Sequence, residues 1–217
     1  MSFAQIIDYR GPGQTGPFLG GWFHEYVAKI LEKTYENIKK NKKTRIILQV
    51  PPRHGKSTLS TILFPAWVLG KDSTLPIITT SYSGNLAEKF GGECKDIVNG
   101  TVYPMYSKLF PRTTIRKDMK AKGNWKTTKG GSYYAVGVGG TITGKGGRLI
   151  IIDDPVKDRA DAESDKMRKK VWDWYRSTLY SRSEGNSAII IIMQRWHTDD
   201  LVGRVLELSE ELKANNQ

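Results

Sequence analysis

The chain has 217 residues, of which 34 are Lys or Arg and 22 are Asp or Glu, so its formal net charge is +12. This length predicts one globular core with appendages, and a hydrophobic fraction of 38% excludes wholesale disorder. Apolar runs too short to span a bilayer and the lack of a signal peptide argue against a membrane or exported protein. One cysteine excludes an internal disulfide framework. The basic excess favours a polyanionic partner such as nucleic acid, although such charge also serves solubility.

The predicted elements alternate between helices and short apolar strands. Residues 1–21 are rich in Gly and Pro and are predicted to form an irregular arm, and a helix is predicted from Trp22 to about Lys40. Residues 101–129 are predicted to be irregular, with at most a short helix. Strands are predicted at 46–50, 76–81, 132–138, 149–152 and 187–193, and further helices at 57–69, 85–99, 162–181 and 199–213. This alternation indicates a parallel sheet covered on both faces.

A basic turn separates the first strand from the helix that follows it, and reads Pro-Pro-Arg-His-Gly-Lys-Ser-Thr. A nucleotide-phosphate loop requires this context, because the amides and the dipole at a helix N-terminus attract an anion. Lys56 is expected to reach the β and γ phosphates, and the Ser57 hydroxyl to ligate Mg²⁺. Val50 stands where the consensus has its first glycine, and the two prolines lack N–H groups. The cradle is therefore expected to use the amides of Arg53, His54, Gly55, Lys56, Ser57 and Thr58. The alternative is an ordinary basic turn.

Two carboxylates, Asp153 and Asp154, follow the buried strand at 149–152, at the strand end where parallel sheets bind ligands. Asp153 is expected to hold Mg²⁺, and Asp154 to orient and deprotonate an attacking water. A second carboxylate favours hydrolysis by water over transfer of the phosphate to a small acceptor. The alternative interpretation is that the two residues only end the strand. Gln194, with Arg195 as the second candidate, follows the last strand and is expected to sense the γ phosphate.

Five motifs in order closely resemble the large terminase subunits of tailed bacteriophages and prophages, the motors that pump DNA into a capsid: Pro51–Ser57, Tyr133–Gly140, Ile151–Pro155, Val171–Tyr175 and Gln194–His197. The resemblance covers roughly residues 20–205. It implies an α/β P-loop NTPase of the RecA-like, additional-strand type, with a mostly parallel sheet, helices on both faces and the start of a lid. It further implies an arm at 1–21, an ATPase core at 22–197 and a lid or linker helix at 198–217.

The resemblance also implies an activity and partners. ATP and Mg²⁺ are the expected cofactors, and hydrolysis is expected to drive double-stranded DNA into a procapsid. The expected partners are the portal protein, the small terminase subunit and further copies of the chain in a ring, commonly a pentamer, in the host cytoplasm. The carboxylate cluster of a nuclease domain is not found after the last motif, so no DNA cleavage is expected from this chain.

The family motifs assign roles to individual residues. Lys56 and Ser57 match the Walker A lysine and serine, and Arg53 the arginine that senses the γ phosphate. Asp153 matches the Walker B aspartate, and Asp154 stands where many terminases have a catalytic Glu.

Further assignments from the family lie outside these two motifs. Gln194 belongs to the motif that couples hydrolysis to motion of the lid, and Trp22 and Gln14 lie where the family packs the adenine. Lys145, with Arg148 second, is the candidate for a basic finger inserted into the neighbouring subunit's site, the alternative being a flexible glycine hairpin.

Two other functions remain open from the sequence. One is a helicase-like P-loop ATPase acting on DNA, and the other is an ATP-binding assembly module that is inactive without its ring partners. Several lysines between the second and third predicted strands are candidates for gripping DNA phosphates, or form a solvated face: Lys117, Lys120, Lys122, Lys126 and Lys129.

Overall fold

The computed structural model describes residues 2–10, 20–119 and 121–215. Within them one six-stranded sheet is formed by β1 (Thr44–Gln49), β2 (Pro76–Ser81), β3 (Asn124–Lys126), β4 (Ser132–Gly137), β5 (Gly147–Asp153) and β6 (Ser183–Met193). The strand order is β1-β6-β5-β2-β4-β3, and every neighbouring pair is parallel except β3 with β4. The predicted mixed α/β fold with a mostly parallel sheet is confirmed.

The helices flank this sheet. They are α1 (Phe3–Ile6), α2 (Trp22–Lys39), α3 (Phe64–Lys71), α4 (Gly84–Asn99), α5 (Pro104–Leu109), α6 (Arg159–Glu163), α7 (Asp165–Trp174) and α8 (Leu201–Ala214). Two π-helical segments, Thr58–Leu63 and Tyr175–Leu179, and a 3₁₀ turn at Tyr180–Arg182 continue some of them. In the described ranges, none of the helices has the length and apolar character needed to cross a membrane.

The core lies on both faces of the sheet, as continuous apolar strands predict. In β5, Leu149 and Ile151 pack in a cluster with α2, α3 and α4, whereas Ile150 and Ile152 pack in a second cluster with α7 and α8. All four isoleucine and leucine side chains are fully buried. Each buried side chain of this size stabilises the fold by about 1.5–3 kcal/mol. The burial on two sides fixes where β5 ends and therefore where the acidic pair emerges.

The N-terminal arm is less irregular than predicted. Phe3–Ile6 is helical because Ser2 and Gln5 form a capping box, and the Ser2 hydroxyl accepts from the Gln5 N–H at 3.3 Å. Ala4 and Ile7 are buried in the core, which a solvated arm would not achieve. The prediction of an irregular segment is therefore wrong over these residues, and residues 11–19 lie outside the described ones.

The edge strand β3 also departs from the prediction of an irregular segment at 101–129. Its middle residue, Trp125, is fully buried and stacks on Tyr133 of β4 with ring centres 5.3 Å apart. A three-residue strand gives too short a pattern to read from sequence. Its tryptophan is also held by a distant segment, because Trp125 Nε1 donates to the Gly91 carbonyl of α4 at 3.2 Å.

The predicted single helix at 162–181 is interrupted. Helix α6 ends at Glu163, and Ser164 caps α7 by accepting from the Met167 N–H at 3.4 Å. A serine hydroxyl competes for backbone amides in this way, so it starts a new helix rather than continuing the old one. After α7 the chain continues as the π-helical segment and the 3₁₀ turn, and β6 begins at Ser183.

A buried guanidinium joins α7 to α8. Arg168 is 7% exposed and donates to the Ala162 carbonyl at 2.7 Å and to Asp199 Oδ2 at 3.2 Å, and it also contacts Asp165. Arg204 of α8 donates to both oxygens of Asp199 at 2.6 and 2.7 Å. These hydrogen bonds hold the pKa of Asp199 low, at about 2, so the carboxylate stays ionised.

Replacing this arginine tests how firmly α8 is attached. The Arg168→Leu variant is expected to lose about 1–3 kcal/mol of unfolding free energy in urea, because Asp199 loses one of its two arginine partners and the buried Ala162 carbonyl loses its donor. The matched control is Arg159→Leu, whose ion pair with Glu163 is exposed and 3.6 Å long, and whose loss should cost less than about 0.5 kcal/mol. Equal effects of the two changes would contradict this account.

Candidate functional site

The turn after β1 forms a tight loop at the carboxyl edge of the sheet. The Val50 N–H donates to the Met193 carbonyl at 3.3 Å, which keeps the start of the loop beside β6. Arg53 and Gly55 have φ values of 63° and 68°, in the left-handed region. Helical structure begins at Lys56. The first amides of a helix have no acceptor within it, so this end can receive an anion.

The helix after the loop opens with wide π turns at Thr58–Leu63. The Thr61 hydroxyl donates to Asp153 Oδ2 at 2.7 Å, and the Ser60 hydroxyl donates to the Lys56 carbonyl. Thr61 is a site residue that the sequence analysis missed. Its one signal is the run of hydroxyl residues in the first turns after the loop.

The loop and the acidic pair meet directly. Lys56 Nζ lies 2.8 Å from Asp154 Oδ2, and the side chains are 9% and 33% exposed. The Gln194 N–H donates to Asp154 Oδ1 at 3.2 Å, so the end of β6 reaches the same carboxylate. Asp154 itself has a φ of 41°. Its N–H donates to the Ile192 carbonyl at 2.9 Å and its carbonyl accepts from the Tyr82 N–H at 3.1 Å.

Asp153 is buried beneath this contact, with 1% of its surface exposed. Burial raises its pKa to about 6; the neighbouring Asp154 charge also raises it, whereas the Thr61 and Ser57 hydroxyls and Lys56 lower it. Asp153 Oδ1 is buried and has no hydrogen-bond partner among the described residues. A buried carboxylate oxygen without a partner is costly, so this atom is suited to a ligand.

A magnesium–nucleotide group fits this arrangement chemically. Lys56 and the helix amides supply positive charge for phosphates, and Ser57 and Asp153 supply the oxygen atoms that Mg²⁺ prefers. The described ranges contain no group of three or more His, Cys, Asp or Glu side chains that could hold a metal. Water and phosphate oxygens would therefore complete the coordination of such an ion.

The N-terminus of α2 lies against the loop through residues that the sequence analysis did not select. His24 Nε2 is 3.3 Å from the position that a Cβ on Gly55 would take, and its Nδ1 accepts from the Gly21 N–H at 3.1 Å. Phe23 packs edge-on against His54, with ring centres 6.4 Å apart. Trp22 is 81% exposed. Gln14 lies outside the described residues.

Arg195 is not directed at the loop. Its Nε donates to Asp200 Oδ2 at 2.8 Å and its Nη2 to the Thr198 carbonyl at 2.7 Å. Asp200 in turn caps α8 by accepting from the Gly203 N–H at 2.9 Å. The side chain therefore connects the end of β6 to α8, which does not favour it as a phosphate sensor.

The two candidates for a basic finger lie away from this edge. Lys145 Nζ is 3.6 Å from the centre of the Tyr134 ring and precedes β5, whose seven residues span roughly 20 Å to Asp153. Arg148 donates to the Ile38 carbonyl at 2.8 Å and to Asn41 at 2.7 Å, so it caps the end of α2. Arg148 is thus engaged within its own chain.

The raised pKa of Asp153 makes a prediction for the metal-free protein. Native Asp153 binds its proton more tightly than unfolded Asp153, so its contribution to stability grows as the pH falls through 6. Relative to Asp153→Asn, the unfolding free energy of the wild type should rise by about 1 kcal/mol between pH 7.5 and pH 5.0. Urea unfolding with EDTA at both pH values measures this. A difference independent of pH would show that the carboxyl group is not perturbed.

Comparison with known proteins supplies the family. A comparison with curated proteins found no match. The crystal structure of the HK97 bacteriophage large terminase is similar in fold, with a TM-score of 0.60 and 17% sequence identity over 97% of this chain. This chain spans about 40% of that protein. The family described as terminase large subunit, T4likevirus-type, N-terminal matches residues 46–215. Because this match covers most of the sequence, the chain belongs to the phage terminase large subunit family and corresponds to its N-terminal domain.

Proposed function

We propose that this chain is a magnesium-dependent ATPase domain that drives double-stranded DNA into a procapsid during phage genome packaging. The observation that carries the proposal is the 2.8 Å contact between Lys56 Nζ and Asp154 Oδ2. It joins the basic loop to the acidic end of β5, so that phosphate-binding and water-activating groups share one edge of the sheet.

The order of strands supports a P-loop fold of the RecA-like, additional-strand type. The strand that leads into the loop, β1, and the strand that ends in the carboxylates, β5, are not neighbours, because β6 lies between them. Gln194 at the end of β6 therefore comes next to Asp154. This position suits a group that detects the γ phosphate.

Each site residue has a role in this proposal. Lys56 and the amides from Arg53 to Thr58 hold the phosphates, with His54 and Gly55 shaping the turn. Ser57 and Asp153 hold Mg²⁺, which neutralises phosphate charge when it is bound. Lys56 then contacts phosphate instead of Asp154, and the released carboxylate orients a water and accepts its proton. Arg53 and Gln194 contact the γ phosphate, and Trp22 and Gln14 are the candidates for binding the adenine.

The same site can move the lid. Gln194 precedes Arg195, whose guanidinium is bonded to the capping carboxylate Asp200 of α8. A shift of Gln194 towards or away from a phosphate is therefore passed to α8 through one hydrogen-bonded side chain. We assign 1–21 to an N-terminal arm, 22–197 to the ATPase core and 198–217 to the lid or linker.

The partners proposed for the whole motor follow from membership of the family. They are double-stranded DNA, the portal protein, the small terminase subunit and further copies of the chain in a ring on the procapsid, in the host cytoplasm. Lys145 is the candidate that acts in the neighbouring subunit's site, since it lies far from the site of its own chain. No nuclease activity is proposed for residues 1–217.

ATP hydrolysis tests the proposal. Lys56→Ala and Asp154→Asn should each reduce the steady-state ATPase rate at least about 100-fold, because one removes the phosphate cation and the other the general base. Lys71→Ala on α3 and Asp173→Asn on α7 replace exposed residues away from the site and should retain the rate. Unchanged turnover in Asp154→Asn would show that the assigned base is wrong.

The same assay separates the other functions. Nucleotide binding without hydrolysis, even with portal protein and at high protein concentration, would identify an assembly module instead. Stimulation by single-stranded DNA with separation of duplexes would identify a helicase-like enzyme. The packaging motor predicts that procapsids and linear duplex DNA increase hydrolysis and yield nuclease-protected DNA when they are mixed with the full-length protein.

A further inference from the structure

Two buried polar atoms without partners lie at the ligand-binding edge of the sheet. Ser81, the last residue of β2, is fully buried, and its Oγ has no hydrogen-bond partner within the described part of the chain. Asp153 Oδ1, at the end of the adjacent strand β5, is also buried and has no hydrogen-bond partner among the described residues. Native proteins rarely leave such atoms unpaired. Among the described residues, the Thr79 and Thr80 hydroxyls of β2 are also buried without a partner, but these residues precede the end of the strand. Ser81 and Asp153 are the two at the carboxyl ends of their strands, which indicates that a polar partner binds at this edge.

The strand pairing brings these two residues to the same edge of the sheet. The parallel ladder between β2 and β5 ends with the pair of Thr80 and Ile152, and Ser81 and Asp153 are the residues that directly follow them on the two adjacent strands. Side chains at the same level of parallel strands point to the same face. For Asp153 this is the face that the helix after the phosphate loop covers, because Thr61 of that helix bonds its carboxylate.

The backbone holds Ser81 in this position from both sides. Its carbonyl accepts from the Val138 N–H at 2.9 Å, on the side of β4. The next residue, Tyr82, donates its N–H to the Asp154 carbonyl at 3.1 Å, on the side of β5. The backbone of Ser81 is therefore held next to the strand end that carries the acidic pair, and its side chain is buried there.

We infer that Ser81 is a further metal-positioning residue of the site. Its hydroxyl and Asp153 Oδ1 together accept the two O–H groups of one water from the hydration shell of the bound divalent cation. A carboxylate oxygen and a hydroxyl are both good acceptors for such a water, and Mg²⁺ keeps several waters when proteins bind it. This inference rests on the proposed function, since it assumes that a cation accompanies the nucleotide.

Titration of Mn²⁺ in the presence of ADP, with free Mn²⁺ measured by electron paramagnetic resonance, tests the role without turnover. Ser81→Ala should weaken Mn²⁺ binding two- to tenfold, the effect of one hydrogen bond. The matched control is Ser187→Ala on β6. Ser187 is also fully buried, and its Oγ has no partner in the ranges that the structure describes, but it lies towards the opposite end of the sheet. That control should change the affinity less than twofold.

Unfolding of the metal-free variants separates this role from a structural one. Ser81→Ala should be at least as stable as the wild type, because the change removes a buried hydroxyl that has no partner among the described residues. A loss of metal-free stability that parallels the loss of Mn²⁺ affinity would overturn the inference.

Asp153→Asn shows which proposal fails if the result is negative. Weaker Mn²⁺ binding in Asp153→Asn with normal binding in Ser81→Ala would refute the role of Ser81 and leave the proposed function standing. Unchanged binding in both variants would contradict the metal site itself, and with it both proposals.

Discussion

The arrangement of this domain depends on the contact between Lys56 and Asp154 at the carboxyl edge of the sheet. The two residues are almost one hundred positions apart in the chain, and they meet because β1, β6 and β5 run in parallel and end at the same level. The ammonium group of Lys56 compensates the negative charge of Asp154, which lies beside the buried Asp153. Burying several charged groups together costs free energy, and the cluster is suited to a ligand that carries both phosphates and a metal.

Much of this edge could be predicted from sequence because its signals are local. The apolar run before Asp153 predicts a strand buried on both faces, and Gly-Lys-Ser between a strand and a helix predicts an anion-binding turn. The contributions of Thr61, His24 and Ser81 could not be predicted in the same way. They depend on which helix covers which face and on strand register, and these are set by packing between distant segments.

The predicted secondary structure differs from the observed one for the same reason, which is packing between distant segments. The amphipathic pattern around Ser164 predicts one long helix, whereas the Ser164 hydroxyl caps and starts a second helix. The helix α1 and the strand β3 are too short for a periodic signal, and both are stabilised by burying side chains against remote parts of the core. Tertiary packing decides such short elements. The longer helices and strands are also stabilised by packing, but they carry a periodic apolar pattern that can be recognised in the sequence.

The left-handed backbone at Asp154 has a consequence for the choice of amino acid there. Aspartate and asparagine adopt positive φ values more readily than residues with longer side chains, because their short polar side chains can bond locally. The chain geometry therefore favours the shorter acid at this position. Lengthening the side chain would not simply move the carboxylate outward; it would also strain the peptide that carries the Tyr82 hydrogen bond, so the reach of the acid and the path of the backbone are selected together.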